Sequence, residues 1–178
     1  MPALTLDASF WSRALATLVG TVAGFVFSIV LFYVSEYVKR SRERTKVIAG
    51  LKREAAFNIG LCDAWLKGIG DIRLKVAGGD QAVFNYIDYT RALRIFVQEA
   101  VRGGILYDLL TDGELVELDK SLRFFGSVSE QDINGKIEQW KTGSISAADM
   151  SKALTFHEYV VTEARKAMEQ LRSKAAAP

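Results

Sequence analysis

Ala14-Leu-Ala-Thr-Leu-Val-Gly-Thr-Val-Ala-Gly-Phe-Val-Phe-Ser-Ile-Val-Leu-Phe-Tyr-Val34 is an uncharged apolar run, with Arg13 before it and Lys39, Arg40, Arg42, Arg44 and Lys46 after it. In a helix, about 20 apolar residues at 1.5 Å each span a hydrocarbon core of roughly 30 Å, and no side chain here carries a charge that would have to be desolvated. The run therefore predicts a transmembrane helix over 14–34. A cleavable signal peptide fits less well. Its apolar region is about 7–15 residues long, with positive charge before it and a small-residue cleavage site after it, whereas here the run is longer and most of the charge follows.

The flanking charges predict an orientation. Lys and Arg resist translocation, and only Arg13 and the amino terminus oppose the basic cluster behind the run. Residues 1–13 are thus expected to form a short extracytoplasmic N-terminus, 35–46 a basic juxtamembrane segment, and the larger remainder a cytoplasmic domain. Trp11 on one side and Tyr33 and Tyr37 on the other stand where amphipathic rings favour the two interfaces. The collar Lys39, Arg40, Arg42, Arg44 and Lys46 suits anionic lipid head groups, at about 1 kcal/mol per cation near such a surface. The same residue types serve nucleic-acid binding, but a net charge of +2 with no recognition helix or stacking motif argues against that partner.

Within the run, Ala16, Gly20, Gly24 and Ser28 recur every four residues and form one stripe of small side chains. In lipid, where hydrophobic attraction between helices is lacking, such a stripe lets two backbones approach and pack by van der Waals contact. The expected partners are other transmembrane helices, in a hetero-complex by preference, with a homo-oligomer as the subsidiary reading. Phe25, Phe27, Leu31 and Phe32 cover the opposite surface.

Beyond the collar, 47–173 has the size of one domain, and 174–178 reads as a frayed tail. Both prolines, Pro2 and Pro178, stand at the ends, so nothing interior obstructs long helices. Apolar spacing from Val34 through Ile48, Ala55, Ile59 and Cys62 to Ile69, with no glycine pair before Gly78-Gly79-Asp80, predicts that the membrane helix runs on into the domain. The stretch from Gln81 to Tyr89 fits either helix or extended chain. Thr90 is read as the cap of a helix carrying Leu93, Phe96, Val97 and Val101 and ending at Gly103-Gly104. Thr111-Asp-Gly-Glu114 is a capping box opening a helix that runs to about Lys141 through Leu118, Phe125, Val128, Ile133 and Trp140. Ser146 with Asp149 starts the last helix, whose apolar face is read as Ala153, Phe156, Val160, Ala164, Ala167 and Leu171. The expected fold is all-α: a transmembrane helix continuous with an antiparallel bundle of three long helices and one or two short ones.

Little in the chain suggests chemistry. His157 is the only histidine and Cys62 the only cysteine, too few for a zinc site, and Leu154 stands where a Glu-x-x-His pair would need its carboxylate. No disulfide can form within the chain, in keeping with a reducing compartment. Gly78-Gly79 lacks the Lys-Ser/Thr of a phosphate loop. No catalytic, metal or cofactor residue is expected, and a Cys62–His157 nucleophilic pair would require the two to be adjacent and accessible to solvent. Glu54 and Asn58, one helical turn apart on an otherwise apolar side, read as a polar clamp fixing helix register, with Thr90, Arg91 or Tyr107 as partners. A ligand or sensing pocket is the competing use of the pair.

Leu51-Lys-Arg-Glu54-Ala-Ala-Phe-Asn58, followed by Tyr89-Thr90-Arg-Ala92-Leu, Gly103-Gly104-Ile-Leu106-Tyr107 and the stretch from Leu118 to Asn134, resembles a loose class of uncharacterised bacterial single-pass membrane proteins. That class joins an N-terminal membrane helix to a cytoplasmic helical domain opening with L-x-x-E-x-x-x-N. The resemblance implies a bacterial inner-membrane location, an all-α domain and no known enzymatic activity, with Glu54 and Asn58 as the signature pair. The resulting expectation is a non-enzymatic accessory or scaffolding subunit of a membrane complex. The alternative is a membrane-anchored sensor or effector, with Gly50, Gly60 and Gly68 as points where a long helix can yield.

Overall fold

The computed structural model describes residues 8–82 and 86–176, and the side chains from Phe10 onward. The expected N-terminal segment up to Asp7, the centre of the 81–89 stretch and the last two residues of the expected tail lie outside the described residues. All regular structure among the described residues is helical. It comprises α1 (Ala8–Ala77), a 3-10 turn (Tyr89–Arg91), α2 (Ile95–Arg102), α3 (Ile105–Leu109), α4 (Asp112–Phe124), α5 (Ser127–Lys141) and α6 (Ala147–Lys174). The contacts divide the chain into two units, Met1–Arg44 and Thr45–Pro178.

In the first unit, every residue from Phe10 to Ser35 is exposed. From Phe10 on, α1 contains an 18-residue window of mean hydropathy 2.3, none of it buried, and is long and apolar enough to cross a membrane. Three of its hydroxyls turn inward on the helix itself. Thr17, Thr21 and Ser28 donate to the carbonyls of Arg13, Thr17 and Gly24, one turn back, at 2.9, 2.8 and 2.8 Å, so their polarity is spent on the backbone rather than turned outward.

In the second unit, burial follows a heptad. Leu51, Ala55, Asn58, Cys62, Trp65, Ile69, Ile72 and Val76 alternate steps of four and three along α1, and all are buried. Met150, Leu154, His157, Val161, Ala164, Met168, Leu171 and Ala175 repeat the pattern at the other end of the sequence. A period of 3.5 keeps one narrow seam facing inward along a whole helix. The ion pairs Arg165–Asp63 at 2.7 Å and Arg73–Glu158 at 2.5 Å join the two helices in reversed order, so α6 runs opposite to this part of α1. Two apolar clusters lie along them. One holds Trp65, Ile69, Tyr89, Phe125, Ile137 and Leu154, and the other holds Leu51, Val97, Leu106, Leu118 and Met168.

Several boundaries differ from those expected. The helix read from Thr111 to Lys141 is two helices, because the backbone leaves the helical region at Phe125 and is extended at Gly126. Gly-Ser-Val-Ser over 126–129 is a run of weak helix formers. The bend there seats Phe125 fully buried with its ring 4.9 Å from Trp65 and 5.8 Å from Tyr89, while Val128, expected inside, is exposed. Thr90 does not cap α2. Its hydroxyl donates to Asp88 at 2.6 Å and its amide lies within reach of Asp88 and Glu130, fixing the 3-10 turn instead. The α3 turn follows Gly104, whose φ of 73° suits a residue without Cβ. On α6 the expected face is one residue out of phase in its first half: Leu154, His157 and Val161 are buried where Ala153, Phe156 and Val160 were expected. The lone histidine takes a core position, and Phe156 points outward.

The capping box is formed, with the Thr111 amide donating to Glu114 at 2.7 Å and the Glu114 amide to the Thr111 hydroxyl at 3.4 Å. At α6 the Ser146 hydroxyl accepts from the Asp149 amide at 3.1 Å. Gly79 and Gly143 take φ of 69° and 68° where α1 and α5 end.

Candidate functional site

Glu54 and Asn58 are both buried, and each grips the backbone of the α2 segment. Glu54 accepts from the amides of Phe96 at 2.8 Å and Val97 at 3.1 Å. These are first-turn amides of α2, which have no partner within their own helix, and Arg94, at the capping position, makes no side-chain cap bond. A carboxylate from α1 thus does in trans what an N-cap residue does locally, and its charge sits at the favourable end of the helix dipole. Asn58 accepts from the Leu93 amide and donates to the Leu93 carbonyl, each at 2.9 Å. The partners are therefore backbone groups of 93, 96 and 97, not the side chains of Thr90, Arg91 or Tyr107. Side-chain partners were expected because backbone groups leave no trace in residue identity.

A second asparagine does the same for the other end of this segment. Asn134 on α5 accepts from the Ile87 amide at 3.0 Å and donates to the Ile87 carbonyl at 2.8 Å. Around it the Trp140 indole donates to the Asp80 carbonyl at 3.2 Å, and the Tyr86 hydroxyl donates to Glu138, which Lys141 pairs at 2.8 Å. The signal that drew attention to Asn58, an asparagine beside core positions inside a helix, is equally present at Asn134 between Ile133 and Ile137. Gly50 supports the clamp by shape. It is buried, and the Phe96 ring lies where its Cβ would stand, whereas Gly60 and Gly68 have open space there.

His157 lies in the other cluster. Its Nδ1 meets the Tyr89 hydroxyl at 3.1 Å and its Nε2 meets Asp132 at 3.2 Å, with the Tyr89 ring stacked 5.8 Å away. Burial holds the imidazole below its usual pKa, opposed by the hydrogen bond and charge of Asp132. Burial, and then the neighbouring Asp63 carboxylate, pushes the Cys62 thiol up to about 12. Burial likewise pushes the Tyr89 phenol up, with Cys62 second. Cys62 is fully buried and both ring nitrogens of His157 are engaged, so the accessible thiolate–imidazole pair is not formed. No group of three or more His, Cys, Asp or Glu among the described residues is arranged to hold a metal ion.

The stripe and the collar belong to the first unit and its boundary. Ala16, Gly20, Gly24 and Ser28 are exposed, and nothing lies within 4 Å of a Cβ built on either glycine. Lys39, Arg40, Arg42, Arg44 and Lys46 are exposed, with Arg40 paired to Glu36 at 3.2 Å.

Fold and site together define an all-helical protein with one helix long and apolar enough to cross a membrane. The chain matches no family model, no curated protein and no solved structure.

Proposed function

We propose that this chain is a single-pass inner-membrane protein, N-terminus outside and C-terminal domain cytoplasmic, that serves as a non-enzymatic accessory or scaffolding subunit of a membrane complex. The carrying observation is the helix surface from Phe10 to Ser35. From Ala14 to Val34 its side chains are uncharged, apolar on all sides and exposed, and the hydroxyls of Thr17, Thr21 and Ser28 are turned onto its own backbone. Such a surface is stable in hydrocarbon and costly in water. On this reading the Ala16, Gly20, Gly24 and Ser28 stripe packs against a helix of the partner. The basic collar rests on anionic head groups, and the second unit is an antiparallel bundle whose Glu54 and Asn58 clamp keeps the docking surface rigid. A fully satisfied polar clamp favours this over a sensing pocket, since neither residue has a buried polar atom left without a partner.

The test is extraction of the tagged full chain from its native membrane in a mild detergent. The expected result is a defined set of membrane proteins at fixed stoichiometry, lost when Gly20→Leu and Gly24→Leu are combined. Recovery of the chain alone, or only with copies of itself, contradicts the accessory role and favours a sensor or effector.

A further inference from the structure

A groove of about 520 Å³ runs between α2 and α4, within the roughly 300–1,000 Å³ of small-molecule sites. Val97, Val101, Leu106, Leu115, Leu118 and Leu122 make it apolar. Its charged lining is mostly cationic: Arg94, Arg102 and Arg123 stand there with Asp119 as the one acid. Asp119 is occupied by Arg123 at 2.8 Å, whereas Arg94 and Arg102 make no ion pair among the described residues. Gln98 and Arg102, four residues apart, share one edge of α2, with Arg94 at its capping position one turn before Gln98, beside the apolar edge formed by Val97 and Val101. The clamp holds this helix in place by its first turn.

We infer that this groove binds a long-chain fatty acid, its acyl chain along the leucines and valines and its carboxylate on Arg94 or Arg102. The charge pattern selects the occupant. A neutral chain leaves Arg94 and Arg102 both without an anionic partner beside the apolar surface, while a carboxylate seated on either one accepts that guanidinium's paired N–H groups in a geometry that lysine would not supply. The site goes beyond the accessory role and does not depend on what the membrane span contacts.

The test uses the full chain in phosphatidylcholine nanodiscs with a diazirine-bearing palmitic acid, photolysed and mapped by peptide mass spectrometry. Crosslinks are expected within 94–123 as well as in the span. Arg94→Glu with Arg102→Glu lowers the groove signal by about tenfold, the scale of one lost charge-assisted hydrogen bond, and leaves the span signal unchanged. Excess unlabelled palmitate competes and the alcohol of equal chain length does not. Labelling confined to the span overturns the inference. So does groove labelling that is insensitive to the arginine changes, or that the alcohol displaces equally. If the groove instead docks an acidic helix of a partner protein, the first of these results follows.

Discussion

The segments Phe10–Ser35 and Leu51–Val76 belong to the same helix and differ in where their apolar side chains go. In the first they lie on all sides and every one is exposed; in the second a seam in steps of four and three is buried, with Ile59 and Leu61 buried beside it and only Phe57 and Leu74 among the large apolar side chains exposed. The lesson concerns pattern more than hydrophobicity. A helix that finds its partners within its own chain needs only one apolar seam and keeps polar residues elsewhere, whereas one apolar all round has no face to turn to water. On the proposed reading the first segment takes its apolar surroundings from the bilayer, whereas the second is packed among elements of its own unit.

That contrast is most severely tested by truncating one buried and one exposed leucine. Leu154→Ala removes a fully buried side chain and is expected to cost about 2–5 kcal/mol in the unfolding of the second unit. Leu18→Ala is expected to change it by less than about 0.5 kcal/mol. Chemical denaturation of the full chain in nanodiscs, followed by tryptophan fluorescence, checks both. Equal losses would erase the distinction between the segments.

Within the second segment, Glu54→Ala leaves two first-turn amides of α2, one buried and one part-buried, without an acceptor and is expected to cost about 3 kcal/mol. Glu54→Gln, which keeps one acceptor, should cost less. Hydrogen exchange at Phe96 and Val97 should rise in the alanine variant before the core of α6 is affected.

Two glycines of α1 sharpen the comparison further because they should respond with opposite signs. Gly50→Ala drives a Cβ into the Phe96 ring and is expected to destabilise by about 1–3 kcal/mol. Gly60→Ala meets nothing within 4 Å and should stabilise by up to about 1 kcal/mol through helix propensity. Thermal midpoints of the two variants decide the point.

The smallest expected effect is a pH dependence. The folded-state pKa of His157 is lowered below 6.5 by burial, so the unfolded chain binds a proton more readily than the folded one. Its contribution to stability is present above pH 6.5 and is lost as the pH falls towards the folded-state value. Unfolding midpoints from pH 7.5 to 5 should decline in the parent and flatten in His157→Gln. The paired carboxylates with lowered pKa values, Glu114 and Glu138 among them, act in a more acidic window, losing their contribution as the pH falls below about 4.5.

Periodicity made the helical class, the length of α1, the capping box at Thr111 and the start of α6 at Ser146 legible, because each rests on side-chain identity at fixed spacing. Glu54 and Asn58 were legible as polar residues on an apolar face, but their partners were not, since the Phe96, Val97 and Leu93 backbones bear no mark in the sequence. The break at Phe125 was hidden because Phe125, Ile133 and Trp140 remain compatible with one continuous helical period across it. The phase of the first half of α6 was not legible, since the place of His157 in the core depends on Tyr89 and Asp132 from distant parts of the chain. The groove between α2 and α4 was not legible either, as it is made by elements that only the fold brings together.

The most direct test of the membrane reading is labelling of single introduced cysteines by a membrane-impermeant maleimide. Cys62 is fully buried with its thiol pKa raised, so the parent chain should give little background. With the apolar surface spanning the bilayer and the basic collar inside, Ser12→Cys should react when the maleimide is added to intact spheroplasts. Ser41→Cys should react only after the membrane is opened. Reaction of both positions in intact spheroplasts, or of neither until lysis, would contradict a single span in this orientation.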